Sequence, residues 1–544
     1  MDLVRELSAG IDRLVGMFSP GAGARRAFQR AQERQALRAS AAWDGASNSR
    51  RWADRSITGG SADGDLDRDD IDKLRSRSRD RWRNDGLAHG ALNAMVEGIA
   101  GCGMRPLLRL DAQALGIPRE RARELQRQAS QLWREWCRTA DACERVTMDE
   151  LQSLIIGSCL MSGDTFVRPL MVQSATQPSR FELRVEVIEG DRCDTPLGKI
   201  ATAVRNGIEL GERGEPTHYW ISREHPGDSL GARTFDRIPR IGPTGRPNVL
   251  HVYAVDRPGQ SRGRPLLAPV LDAFKDLDDY IEAEVVRSQV AACFAAFVKR
   301  NDPYGAALAA TASGTSSGQQ REIEIVPGGI HYLQQNEDIS FGSPSSPNAA
   351  WDGFVRATRQ MICAPLDIPY EIAARDMRGL NYSNARAAFL LAWRSFQKRQ
   401  RWAVNTFLQP LWEMLLEEAW LKGLWEAEDF AERRSLWTNT IWIASGKGWI
   451  DPLKEVQAEQ VRLENALTTR SQIAAANDGL DWETEIAPQL VEEEALLAQL
   501  RSEAGVEAPQ AKPLMPPPQQ DNQDTPVDPS TAQETADDRR EAVA

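Results

Sequence analysis

The stretch from residue 344 to residue 422 constrains this chain more than any other. Ser346 can cap a helix whose first position is Pro347, where a missing N–H and a preset φ cost nothing. Trp351, Phe354, Val355, Thr358, Met361 and Ile362 then fall on one face of a helix that runs to about Ala364. Pro365 and Pro369 bar a straight continuation, because proline removes a backbone donor and pushes its predecessor out of the α region. Residues 374–384 have no apolar period, one glycine and several cap-type side chains, and read as a loop that ends in a helix start. From Asn384 a long helix follows: Phe389, Trp393, Phe396, Ala403, Phe407, Leu411 and Met414 form its apolar face, Arg394, Lys398 and Arg401 form a basic stripe, and Pro410 bends it. Helix, proline elbow, polar basic loop and long helix together make a rigid strut that presents a mobile loop.

At 544 residues the chain can bury sizeable cores and should form more than one structural unit. Its mean hydropathy is −0.47. The most apolar run, 285–298, is too short for a bilayer and contains Arg287 and Gln289, so no membrane span is expected. The N-terminus lacks a clean signal peptide, which favours intracellular synthesis. Seven cysteines without a C-x-x-C pair argue for reduced thiols, and the nearest pair, Cys137 and Cys143, reads as packing rather than a metal site. The five scattered histidines show no H-E-x-x-H spacing, so neither a metal nor a catalytic residue is expected. A net charge of −12 argues against a sequence-specific nucleic-acid reader. For a conduit the logic reverses, because a strongly basic wall would hold a polyanion that an acidic wall lets pass.

In order, residues 1–60 carry ten arginines against six acids and read as a flexible basic arm. Residues 69–100 give one or two helices, with Ile71, Leu74, Ser78 and Trp82 on an apolar face, an Arg-rich solvated face, and Gly98, Gly101 and Gly103 as breakers. Helices over 118–138 and 148–161 follow, the second with a capping box of Thr147 and Glu150. Between 165 and 255 the period changes to two, and short strands are expected at 166–172, 181–188, 208–210, 218–222 and 249–253. The run 181–188 alternates cleanly, so one face should be wet, and Asn206-Gly207 reads as hairpin chemistry. Gly163-Asp164-Thr165 has no base or oxyanion partner in view and is not read as an active-site elbow. A glycine-proline joint at 257–265 leads into a second long helix, 266–298, with Asp272, Asp276 and Asp279 on one face. Such acids are most often solvation, and in a ring they could furnish a negative lumen. Residues 301–320 look loose, short strands follow at 322–326, 330–333 and 338–341, helices return past Gly423, and 505–544, with eight acids against three bases, should be disordered. The fold class is α+β, mainly helical.

Several of these stretches resemble one family. The runs 347–356, 367–371 and 381–388, the Arg-rich string 77–93 and the joint 257–265 are similar in character and order to the lambda-type portal proteins of tailed bacteriophages. The resemblance spans roughly residues 70–500, with departures at Pro365, at Asp367 where a glycine is common, and at Asn384 where a serine is. It implies a wing (61–265), stem helix 1 (266–299), a clip (300–345), stem helix 2 (346–369), a tunnel loop (370–383), a long tunnel or wing helix (384–423) and a helical crown (424–504). Arg375, Arg378, Asn381 and Tyr382 would then lie nearest double-stranded DNA, and Asp272, Asp276 and Asp279 would be candidates for the channel lining.

The family implies a homo-oligomeric ring of about 12 subunits closed head to tail. It would sit at the portal vertex of the virion after assembly in the host cytoplasm, and would admit and release the genome. Expected partners are the terminase large subunit, head-completion or connector proteins and the major capsid protein, with no cofactor and no membrane. The alternatives are a DNA-packaging ATPase or nuclease, and a capsid adaptor or scaffold without a channel. For the first, a phosphate-cradling loop is needed, and Ser445-Gly446-Lys447-Gly448 lacks both the upstream glycine spacing and the hydroxyl.

Overall fold

The structure, a computed structural model, describes residues 60–196, 204–228, 233–293, 297–300, 337–340, 350–444, 446, 452–477 and 480–504. Expectations for the basic arm, for Ser346 and Pro347, for the loose stretch 301–320, for the strands at 322–326 and 330–333 and for the acidic tail lie outside these residues. The described part is α+β and mainly helical. In chain order its main elements are α1 (Arg68–Asn84), α2 (Gly86–Ile99), β1 (Arg105–Leu108), α3 (Arg119–Cys137), α4 (Met148–Ser162), β2 (Asp164–Met171), β3 (Leu183–Glu189), β4 (Val204–Arg205), β5 (Ile208–Leu210), β6 (Pro216–Ser222), β7 (Phe235–Pro239) and β8 (Leu250–Tyr253). There follow α5 (Leu271–Cys293), β9 (Phe297–Arg300), β10 (Glu337–Ser340), α6 (Trp351–Cys363), α7 (Tyr382–Ala403), α8 (Gln409–Leu421), β11 (Thr440–Ile443), α9 (Pro452–Glu464), α10 (Arg470–Asn477) and α11 (Ala487–Ala504). No described helix is long and apolar enough to cross a membrane.

Local chemistry accounts for most of these boundaries. Asp67 caps α1 and Asp85 caps α2, each by accepting a backbone N–H, and both halves of the Thr147/Glu150 capping box form at α4. Asn206 and Gly207, at φ 48° and 83°, make the tight β4–β5 hairpin. Pro410 stands just after a π turn, Val404–Leu408, which absorbs its missing N–H without ending the helix.

Two cores result. The smaller, around Phe166, Ile188, Tyr219, Ile221 and Ile238, lies between the β3-β2-β8 sheet and the β4-β5-β6-β7 sheet. The larger joins α2, α3, α4, α7 and α8. There Trp133 meets Trp136, Trp412 and Trp442 with ring centroids 5.2, 5.7 and 5.6 Å apart. The indole N–H groups of Trp136, Trp412, Trp425 and Trp442 each reach an oxygen at 2.8–3.1 Å, whereas the buried Trp133 N–H has no hydrogen-bond partner among the described residues.

Several expectations need correction. Residues 424–443 were assigned to a helical crown, but Trp425, Phe430 and Trp437 are buried in the main core and β11 pairs antiparallel with β1. The second long helix stops at Cys293, and β9 pairs with β10 across the residues between them. Phe354 and Met361 leave the expected apolar face of α6 and stand 51% and 68% exposed, while Val355 and Ile362 turn inward. The strand at β3 does not alternate wet and dry, because Arg184 is buried and donates to the Asp141 and Gln177 carbonyls. β1, β4, β7 and β11 are strands that hydropathy alone did not mark.

Gly98 does not break a helix. It lies within α2 because a Cβ there would meet the Phe396 ring of α7 at 2.5 Å. Gly98→Ala should therefore destabilise the chain by about 1–3 kcal/mol in chemical unfolding, the usual cost of overpacking. Phe396→Leu in the same chain should recover part of that loss. Unchanged stability of Gly98→Ala would mean that α2 and α7 do not pack so closely.

Candidate functional site

Residues 370–383 hold the four side chains expected to face DNA. A one-turn helix, Tyr370–Ala373, follows Pro369, and Arg375 and Gly379 then take left-handed backbone at φ 53° and 74° to bring the chain back to α7. Asp376 organises the turn. One carboxylate oxygen accepts from the Arg378 backbone N–H (3.1 Å) and Nε (2.8 Å), the other from Arg378 Nη2 (2.8 Å) and the Tyr370 hydroxyl (3.1 Å). Tyr370 is buried, its ring lies 5.9 Å from the Arg356 guanidinium, and Arg356 donates to the Arg378 carbonyl. The loop is thus tied to itself and to α6 rather than left as mobile chain.

These bonds decide its electrostatics. The Arg378 guanidinium and backbone N–H hold the Asp376 carboxyl well below the usual carboxylate range, and the same pairing pushes Arg378 up. Arg375 pairs with Glu97 of α2 at 3.2 Å, both side chains being 68% exposed, so the link is worth under about 1 kcal/mol. Asn381 caps α7 by accepting the Asn384 N–H at 2.8 Å, and Tyr382, 47% exposed, is the first residue of that helix. The helix starts two residues before the expected Asn384. Both loop arginines therefore already have a carboxylate.

Asp272, Asp276 and Asp279 are exposed on α5, and Asp279 is paired with Lys275 at 2.8 Å. No described hydrogen bond or ion pair joins them to the loop. The stripe Arg394, Lys398 and Arg401 is exposed on α7 as expected. Asp367 takes φ 58° at the elbow, where glycine is the easy choice and Asp a tolerated one, and Arg399 stands 3.6 Å from its carboxylate.

Behind these elements lies a charged node that the sequence reading missed. Asp164 receives Arg75 Nη2 at 2.6 Å, Arg262 Nε at 2.5 Å and a contact from His251 Nε2 at 3.2 Å, and all four side chains are 0–5% exposed. Arg262 also donates to the Cys193, Asn206 and Gly190 carbonyls, and Arg75 to that of Ser162. Gly163 and Gly263 meet backbone to backbone beside it, leaving no room for a Cβ on either. Burial by itself would raise the Asp164 carboxyl, but Arg262, Arg75 and the His251 hydrogen bond hold it well below its ordinary value. His251, stacked between Phe166 and Tyr253, is pushed down by burial. No reactant reaches so enclosed a group, so the node is structural.

The signal for the node was present. Ile71, Arg75 and Ser78 share the inward face of α1, the face that the spacing of Ile71 and Ser78 already marks. Arg79, one turn on, grips Asp191 with two nitrogens at 2.5 and 3.1 Å. Asp191, Glu189 and His225 stand close enough to suggest a metal site. Arg79 already occupies both Asp191 oxygens, so the group reads as an ion-pair network. Cys137 is buried with its thiol pushed up, and Cys143 is exposed.

Comparison with known proteins agrees with this architecture. The model of the lambda family of phage portal proteins matches residues 48–400. Over 445 residues the chain is 25% identical to Portal protein B of Escherichia phage lambda, covering 77% of this chain and 82% of that protein. It is equally similar to the portal protein of Escherichia phage N15, covering 77% and 83%. Among solved structures it resembles, at 13% identity and a TM-score of 0.39, a chain in the neck of a native gene transfer agent particle, over 75% of this chain and 93% of that one. The chain belongs to the lambda family of phage portal proteins.

Removing the node's anion tests its weight. Asp164→Asn leaves Arg75 and Arg262 buried without a counter-charge and should cost about 3–5 kcal/mol in chemical unfolding. The node also sets a pH dependence. Where a group's pKa is depressed on folding, the unfolded chain binds more protons and stability falls with pH. Wild-type stability should therefore decline as pH drops below about 6.5 through His251, and again below about 4 through Asp164. A melting temperature flat from pH 7 to pH 3 would contradict this.

Proposed function

We propose that copies of this chain close into a ring of about a dozen subunits at one capsid vertex, around a channel that conducts double-stranded DNA during packaging and ejection. The observation that carries this reading is the form of α5 in a chain of this family. Leu267, Val270, Phe274 and Leu277 bury its base, whereas Val285 and Val286 beyond Ile281 stand about half exposed. A helix anchored at one end and uncovered at the other suits a strut that is completed by neighbours. The residues after it pass through the β9–β10 pair, and that insertion, as a clip, would meet the terminase large subunit and later the head-completion proteins. The major capsid protein would surround the ring.

In this reading residues 370–383 line the narrowest part of the channel. Arg378, held by Asp376 and 75% exposed at its side chain, offers a phosphate contact that is already half satisfied. Such contacts are few, exchangeable and blind to sequence, as a conduit requires. The packaging-enzyme alternative predicts ATP hydrolysis by the purified chain, and the adaptor alternative predicts no central hole.

Electron microscopy of the purified chain should show rings with a central hole. Arg378→Ala should leave those rings intact and change the amount of DNA packaged in an in vitro assay. Monomers, or rings that package normally, would remove Arg378 from the channel.

A further inference from the structure

Two exposed helices of this chain carry opposite charge. α7 holds Arg386, Arg394, Lys398, Arg399 and Arg401 and no acid, while α5 holds six acids against Lys275 and Arg287. In a chain of net charge −12, a 22-residue helix with five bases and not one carboxylate stands apart. Some of these charges are answered locally: Asp278 by Arg81, Asp279 by Lys275, Glu284 by Arg287 and Arg399 by Asp367. Among the described residues no side-chain hydrogen bond or ion pair answers Arg386, Arg394, Lys398 and Arg401 on α7, or Asp272, Asp276 and Glu282 on α5. All seven are exposed.

The spacings match. Arg394, Lys398 and Arg401 are separated by four and three residues, as are Asp272, Asp276 and Asp279, so each set stands on one face of its helix. Each helix also leaves an aliphatic pair uncovered: Leu390 and Leu391 at 45% and 60%, Val285 and Val286 at 49% and 50%. The two regions lie at the same base of α5. Leu266 borders the cleft that holds Lys398, Arg399 and Trp402, and Leu271 borders the groove that holds Asp272 and Lys275, with no residue common to both. Arg77, Arg81 and Arg83 of α1 line that groove as well, so Asp276 and Glu282 farther along carry the unanswered negative charge.

We propose that, in the ring, the acidic face of α5 docks against the basic face of α7 in the neighbouring copy, with the leucine and valine pairs as the apolar part of the same contact. A DNA phosphate could answer the bases, but it would leave Leu390 and Leu391 wet and do nothing for the acids; a second copy answers both. Two different surfaces of one chain that fit each other join head to tail, which is the contact that closes rings. The proposal rests on the ring reading above, and it assigns Asp272, Asp276 and Asp279 to a contact between copies rather than to the channel wall.

Charge reversal on each side tests it, with full-length protein counted as rings by electron microscopy. K398E/R401E and D276K/E282K change only exposed residues, so each should keep the wild-type circular dichroism and melting temperature, yet each should form at least about tenfold fewer rings. Mixed one to one, the two variants should form rings again, because every interface then has one acidic and one basic side. Wild-type protein that forms no rings would sink the ring reading itself. Rings from K398E/R401E alone at wild-type yield, or no recovery on mixing, would overturn this contact and leave the ring standing. Intact K398E/R401E rings that no longer retain DNA would give the stripe to nucleic acid instead.

Discussion

The fold turns on one buried carboxylate. Asp164 binds Arg75, 89 residues away in sequence, and Arg262, 98 residues away, and so pins α1, the start of β2, β8 through His251, and the joint that launches α5. An apolar cluster of similar volume would tolerate sliding. A carboxylate with fixed donors around it does not, because any shift leaves a charge unpaired in a medium that solvates it poorly. The strut therefore leaves the body in one direction, set by Arg262 three residues before Pro265 in the joint that leads to it.

From that anchor the chain divides its apolar surface in two. Tryptophans, four of them with their N–H groups satisfied, close the body around α3, α8 and β11. Phe354 and Met361 on α6, Val285 and Val286 on α5, and Leu390 and Leu391 on α7 are among the large apolar residues that stay uncovered, as are Leu154 on α4, Leu421 on α8 and Ile441 on β11. In the loop at 370–383, Asp376 and Glu97 each already pair with an arginine.

Much of this was legible in the residues. Capping boxes, the Asn206-Gly207 hairpin, the proline elbow and the stripe on α7 follow from local chemistry and were read with little error. Three misreadings share a cause. Arg184 was placed on the wet face of its strand, and only partners outside that strand, the Asp141 and Gln177 carbonyls, bring it inside; Arg75 was not read at all, because its partner Asp164 lies 89 residues away. Gly98 was read as a breaker because its reason, the Phe396 ring, lies on another helix. The strand at 440–443 was missed because its partner lies more than three hundred residues earlier.

The sequence by itself determined most of the helices, the strands with an apolar period of two, where the elbow bends, and to which family the motifs are similar, since each depends on neighbours a few residues apart. The tertiary structure alone decided which charges are buried, which arginine already holds a carboxylate and which apolar residues are left exposed. Those outcomes depend on distances between groups far apart in the chain, and no local pattern of residues contains them.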